Sequence, residues 1–256
     1  MSTLSSHDGF ISRIGAGYSA LEIIDGETAA TTSSLLPSCA FTMQAGPVLK
    51  AFPSLAGGNT AYVVTRMSLF GTTAEQNYIV ARVINLGSLN ISTPTFTDGD
   101  PMPTVTELGV SRVMASAVIV EVTTILNSNP GSITITYTDQ DGNTGQTSSS
   151  QALTASAAVG TCGFISLLAG DTGVRDITAA SRTGGTTPTG VVKFWGLVPL
   201  GIIQIPLTTI TEVRSFEGPH YFNPVRHGAG DQIKLFNMGS AVAKRATGVY
   251  SIVAQD

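Results

Sequence analysis

Ile133, Ile135 and Tyr137 alternate with Thr134, Thr136 and Thr138. A period of two puts the apolar side chains on one face of an extended strand and the threonines on the other. The run leads into Asp139-Gln-Asp-Gly-Asn143, which reads as a hairpin turn with Gly142 supplying the positive φ. Other β-branched runs predict strands at Tyr18–Ile24, Ala61–Phe70, Tyr78–Leu86 and Ala117–Leu126, then at Cys162–Leu168 and Val174–Ala180. Val191–Val198, Ile202–Leu207, Ile233–Asn237 and Val249–Val253 complete the series. The stretch Phe194–Ile210 is the longest apolar run without a charge, but Gly196, Pro199, Gly201, Gln204 and Pro206 interrupt it. It is too short and too broken for a membrane helix and reads as two buried strands around a Pro199-Leu-Gly201 turn.

Short strands punctuated by Gly, Pro and Asn, with no repeat of fixed period, predict an all-β protein: an antiparallel β-sandwich or jelly roll. Residues 1–57 lack sustained periodicity and are expected to form an extended N-terminal arm, with Ala56-Gly-Gly-Asn59 as a hinge. Residues 58–256 then form the β-sandwich domain. Within it, 87–107 carries Pro94, Pro101, Pro103 and Asp98-Gly-Asp100 and predicts one long irregular loop, the kind that is functional or packed against a partner.

Composition agrees with this reading. Thr, Ser and Gly number 33, 25 and 28 of 256 residues, while charged residues are 12%, against about a quarter in typical domains. That excludes general disorder and a charged amphipathic bundle. A net charge of −4 and the absence of a basic stripe argue against a nucleic-acid partner. The charge is uneven: residues 1–171 hold 5 basic and 12 acidic residues, and 172–256 hold 8 and 5, an asymmetry that suits head-to-tail or partner contacts. The N-terminus has no basic region followed by an apolar run, so synthesis in a cytoplasm is expected. Cys39 and Cys162 are too few for a disulfide framework and read as buried thiols, with a single bridge between them left open.

The candidates for chemistry are thin. His220 and His227 flank Tyr221-Phe-Asn-Pro-Val-Arg226 and, with Asp231, lack a recognised metal spacing; His7 lies in a polar tail. Asp98 and Asp100 sit where turn chemistry expects aspartate. Asp139, Asp141 and Asn143 alternate as calcium ligands do, yet the glycines at 142 and 145 are misplaced for a calcium loop and Ser150 stands at its last position. No Gly-x-Ser-x-Gly elbow, phosphate-binding loop or dinucleotide fingerprint is present. The reading is therefore no enzyme, no catalytic residues, no metal and no cofactor. Trp195, with Phe194, Phe216, Tyr221 and Phe222, offers either a glycan platform or ordinary core and interface packing; solvent exposure of Trp195 separates the two.

Three segments carry a resemblance. The Ile133–Gly142 strand and turn lead to Gly163–Ile177, whose core is Ala169-Gly-Asp-Thr-Gly-Val-Arg175, and then to Thr189-Gly-Val-Val and Leu197–Leu207. Together they resemble virion structural proteins of tailed bacteriophages over about residues 115–210. The chain departs from that pattern at Val198, where the family more often has a basic residue before Pro-Leu. The resemblance implies a non-enzymatic virion component: a capsid decoration or cement protein, commonly a homotrimer, that bridges subunits of the major capsid protein or other virion proteins. The alternative it allows is a tail, neck or head-fibre module binding a host glycan or another virion protein. Asp171, Arg175 and Asp176 in this string, with Tyr221 and Phe222, are the candidate interface residues, with Asp171 or Asp176 expected to pair with Arg175.

Overall fold

The alternating and β-branched runs do become strands. The structure, a computed structural model, describes residues 11–14, 17–28, 43–48, 61–71, 76–102, 104–107, 110–113, 117–205, 214–215, 232–238 and 244–255. They contain no helix and form antiparallel sheets. In chain order the strands are β1 (Ile11–Ile14), β2 (Gly17–Thr28), β3 (Met43–Val48), β4 (Ala61–Gly71), β5 (Gln76–Asn90) and β6 (Thr95–Asp98). There follow β7 (Thr104–Glu107), β8 (Val110–Val113), β9 (Ala117–Thr124), β10 (Ser132–Asp139), β11 (Gln146–Thr147) and β12 (Gln151–Ala152). The last are β13 (Thr161–Phe164), β14 (Val174–Thr183), β15 (Val191–Ile205), β16 (Arg214–Ser215), β17 (Gln232–Met238) and β18 (Lys244–Gln255).

The main sheet has seven strands in the order β15-β9-β13-β3-β17-β5-β6, with β15 also paired to β5. A five-stranded sheet runs β1-β2-β18-β4-β16, a four-stranded one joins β11, β12 and β14 to β10, and β7 and β8 form a ribbon. Strands inside residues 1–57 are laddered to strands beyond it: β2 pairs with β18, and β3 lies between β13 and β17.

β9 shows why these segments settle as they do. Five consecutive residues, Val118–Val122, are buried, so both faces of the strand are covered and its sequence, apolar but for Glu121, shows no alternation. β10 is the opposite case: every second residue from Ile133 to Asp139 is buried and the threonines between them are half-buried. One face of the main sheet carries a core cluster of Ile79, Ala81, Val83, Ile119, Cys162, Trp195, Leu197 and Phe236. On the other face Phe194 packs its ring 6.3 Å from that of Phe96, and Gly196 lies against Met102 and Leu86, leaving no room for a Cβ. β14, from the four-stranded sheet, packs on β5 and β6.

Two expectations change. The 87–107 segment is not one irregular loop: β5 continues to Asn90, turns through 91–94 and returns as β6, pairing Asn90 with Thr95 and Gly87 with Asp98. Of the prolines that suggested irregularity, Pro94 falls in the 91–94 turn and Pro101 after β6, where neither displaces a ladder bond, and Pro103 lies outside the described residues. Pro199-Leu-Gly201 is likewise not a turn between two strands but a bulge within the single strand β15. The ladder from β15 to β9 ends at Leu197 with Ala117, so among the described residues Pro199 has no ladder partner to lose on that side.

Candidate functional site

The segment of the phage-like string is built around one turn. Asp171 N–H donates to the Leu168 carbonyl (3.0 Å), and Gly170 takes φ +102° between them, a conformation that favours glycine. Two side chains from the β10 hairpin hold this turn, and a third, from β14, reaches back to the hairpin. The Tyr137 hydroxyl, fully buried at the end of β10, donates to Asp171 Oδ2 (2.6 Å) and accepts from Leu168 N–H (2.9 Å). Gln140 Oε1 accepts from the N–H groups of Thr172 and Gly173 (2.9 and 3.2 Å). The Arg175 guanidinium donates through Nε and Nη2 to the Gln140 carbonyl (3.1 and 2.9 Å) and lies over Gly142.

The hairpin itself is stapled by Asp139. Its Oδ1 accepts from Asp141 and Asn143 N–H (2.8 and 2.9 Å), and its Oδ2 accepts from Asn143 Nδ2 (2.7 Å). The Asn143 side chain, with the turn amides behind it, holds the Asp139 carboxyl below the usual aspartate range, against the opposing effect of burial. Gly142 at φ +92° closes the turn. Both oxygens of Asp139 thus face N–H donors, which explains the Asp-x-Asp-Gly-Asn spacing as turn chemistry. No group of three His, Cys, Asp or Glu side chains is arranged to hold a metal among the described residues.

The candidate residues therefore separate. Asp171 and Arg175 belong to the same clasp but do not pair with each other: Asp171 is engaged by Tyr137, and Arg175 reaches a carbonyl where the sequence suggested a carboxylate. Asp176 points elsewhere, toward Asp98. Burial, reinforced by the Asp98 charge and opposed by the Ile177 N–H, raises its carboxyl above the ordinary value, and its Oδ1 has no hydrogen-bond partner. Asp98 is exposed and its carboxylate caps Gly99 N–H (3.0 Å), turn chemistry again. Tyr221 and Phe222 lie outside the described residues, as do His7, His220, His227, Asp231 and Cys39. Cys162 is fully buried, with its Sγ donating to the Gly160 carbonyl at 3.3 Å.

The sequence did not point to a second cluster, in the middle of the main sheet. Glu121 of β9 accepts from Trp195 Nε1 of β15 (2.5 Å) and from Lys234 Nζ of β17 (2.8 Å), all three being buried. Lys193 and Lys234 place their ammonium groups 4.1 and 4.9 Å from the Trp195 ring centre. Burial holds the Lys193 ammonium below the ordinary lysine value; Lys234 adds to this and Glu121 opposes it. The available signal was a lone charge inside each of three apolar strands: Val-Glu121-Val, Val-Lys193-Phe and Ile-Lys234-Leu. Trp195 is only 5% exposed, so it cannot stack on a glycan.

The clasp gives a direct prediction. Tyr137→Phe removes a hydroxyl that serves as donor and acceptor at once, and should destabilise the fold by about 1–3 kcal/mol in urea denaturation. Burial, with help from the Asp171 hydrogen bond, pushes the Tyr137 phenol up to about 12 from 10.0. A phenol that keeps its proton longer when folded stabilises the fold below the unfolded value. That contribution is lost as pH climbs from roughly 10 to roughly 12. Urea midpoints across this window should fall more steeply in the parent than in Tyr137→Phe; parallel curves would contradict the clasp.

No protein-family profile matches the chain, and no characterised protein matches its sequence. Among solved structures, infectious bursal disease virus of the Gt strain aligns over 98% of this chain and 83% of that chain, at 12% identity and a TM-score of 0.18. Infectious bursal disease virus-derived T=1 particles align over 98% and 80%, at 11% identity and a TM-score of 0.19. Superposition this loose carries neither fold nor function across to the present chain.

Proposed function

We propose that the chain is a non-enzymatic structural component of a tailed-bacteriophage particle, a decoration protein that bridges neighbouring subunits of the major capsid protein as a homotrimer. It would be made in the host cytoplasm and reside on the virion. The observation that carries this reading is the clasp. The most specific part of the phage-like string, Ala169–Arg175, is a turn whose polar groups are taken up in holding its own shape against the β10 hairpin. Residues used in this way suit a rigid surface that works by contact. The all-β fold, the low charge and the high Thr, Ser and Gly content support the same role, in which several contacts per particle raise the cost of opening the shell. The glycan-binding alternative loses its strongest aromatic, since Trp195 is buried against Glu121.

The test is co-sedimentation of the purified full-length chain with capsids that lack it, alongside its mass by light scattering. Saturable binding by a trimer is the expected result. A chain that ignores capsids, or assembles alone into tubes, would move the assignment to the tail or neck.

A further inference from the structure

Three large apolar side chains stand exposed among the described residues: Ile125 at 58%, Val159 at 50% and Leu168 at 48%. They are not scattered. Ile125 follows the end of β9, and Val159 lies on the segment that runs antiparallel to it, held by Gly160 N–H to the Val122 carbonyl and Leu126 N–H to the Ala157 carbonyl. Leu168 is beyond the other end of the same ladder, where Ile165 N–H meets the Val118 carbonyl. Seven to eight residues of extended chain separate the two ends, roughly 25 Å.

The ends differ in shape and in charge. Leu168 is a knob on a turn pinned by Tyr137, Gln140 and Asp171, so little conformational freedom is left to lose on contact. The half-buried Asp171 lies in the turn itself and the exposed Asp141 accepts from Gln140, which caps it, with Arg175 drawn onto the Gln140 carbonyl. The Ile125 and Val159 end is a patch of small residues. Its bounding segments, 123–131, 152–160 and 183–191, contain no acid, and Arg182 of β14 donates to the Gly184 carbonyl in the third of them. An acidic knob at one end and an apolar patch with a basic neighbour at the other are complementary to each other, not to themselves.

We infer that the Leu168 turn of one copy seats on the Ile125–Val159 patch of a second copy of this chain. The contact is heterologous, head to tail, so repeated use closes a ring when the rotation between copies allows it. The two apolar ends form the desolvated centre of the interface and the aspartates and Arg182 its rim. In naming the contact, this inference rests on the oligomer of the reading above; it does not depend on the capsid as partner.

The experiment uses three full-length chains: the parent, Leu168→Asp and Ile125→Asp. Light scattering should give the parent a multiple of 26.4 kDa and each variant the mass of a monomer, with association at least tenfold weaker. Mixed one to one, the variants should recover a dimer and nothing larger: the intact knob of Ile125→Asp meets the intact patch of Leu168→Asp, and the other two ends are blocked. A symmetric contact through either end gives no such rescue. Unchanged far-ultraviolet dichroism and Tm confirm folding, and Leu168→Ser with Val159→Asp replaces any variant that misfolds. A variant of parental mass, or a mixture that stays monomeric, overturns the contact while leaving capsid binding to be judged by co-sedimentation. A parent that is monomeric at every concentration overturns both the contact and the trimer.

Discussion

Glu121→Ala is expected to destabilise the protein by about 3–5 kcal/mol, the cost of leaving one partner of a buried ion pair alone. Glu121 accepts from both Lys234 Nζ and Trp195 Nε1, so its removal strands an ammonium that is 3% exposed and an indole N–H in the same step. Lys193 and Lys234, 4.1 and 4.9 Å from the Trp195 ring centre, then repel each other without the Glu121 carboxylate to offset it. The Tm should fall by about 2–4 °C for each kcal/mol lost.

The pair is not thereby a large source of stability. Glu121→Leu combined with Lys234→Met should recover most of the loss, because removing both charges also removes their desolvation. If urea denaturation found the double variant no better than Glu121→Ala, a stranded lysine would not be the cause. The pH dependence adds a second check. Lys193 is held below the ordinary lysine value, so the unfolded chain binds more protons and stability rises as pH climbs through the lysine range. Without Glu121, which opposes that shift, the rise should steepen.

Phe236→Ala is expected to cost about 3–5 kcal/mol for a different reason. The Phe236 ring is fully buried in the cluster of Ile79, Ile119, Trp195 and Leu197, where strands from four parts of the chain converge. Truncation leaves a void that sheet backbones cannot collapse to fill, since their spacing is fixed by hydrogen bonds. Phe236→Leu should cost less, and Ser149→Ala, on an exposed loop, within about 0.5 kcal/mol of nothing. Urea midpoints at constant slope measure all three. A loss below about 1 kcal/mol for Phe236→Ala would be incompatible with β17 sitting between β3 and β5.

Much of this was legible in the chain. Alternation gave β10 and its turn because the strand is covered on one face only and the glycine in the turn has a conformational reason to be there. The β-branched runs at Ala117, Val174, Val191 and Ile233 became β9, β14, β15 and β17. Two mistakes came from reading Pro and Gly as breaks: Pro199 sits in a bulge beyond the ladder to β9, and Pro94 falls in the turn of the β5–β6 hairpin. Whether a proline ends a strand depends on whether its missing N–H had a partner, which is a property of the neighbouring strand.

Local sequence thus determined that the protein is β-structured, where most strands lie and that its best motif is a turn. Those properties are set by side chains within a few residues of one another. The choice of partners was made only in three dimensions. Arg175 has two aspartates within four residues and takes a carbonyl instead, because the β10 hairpin brings Gln140 to it. Glu121, Trp195 and Lys234 meet across 74 and 113 residues, a contact set by strand order in the sheet. Burial decides which charges must pair, and only the tertiary fold decides what is buried.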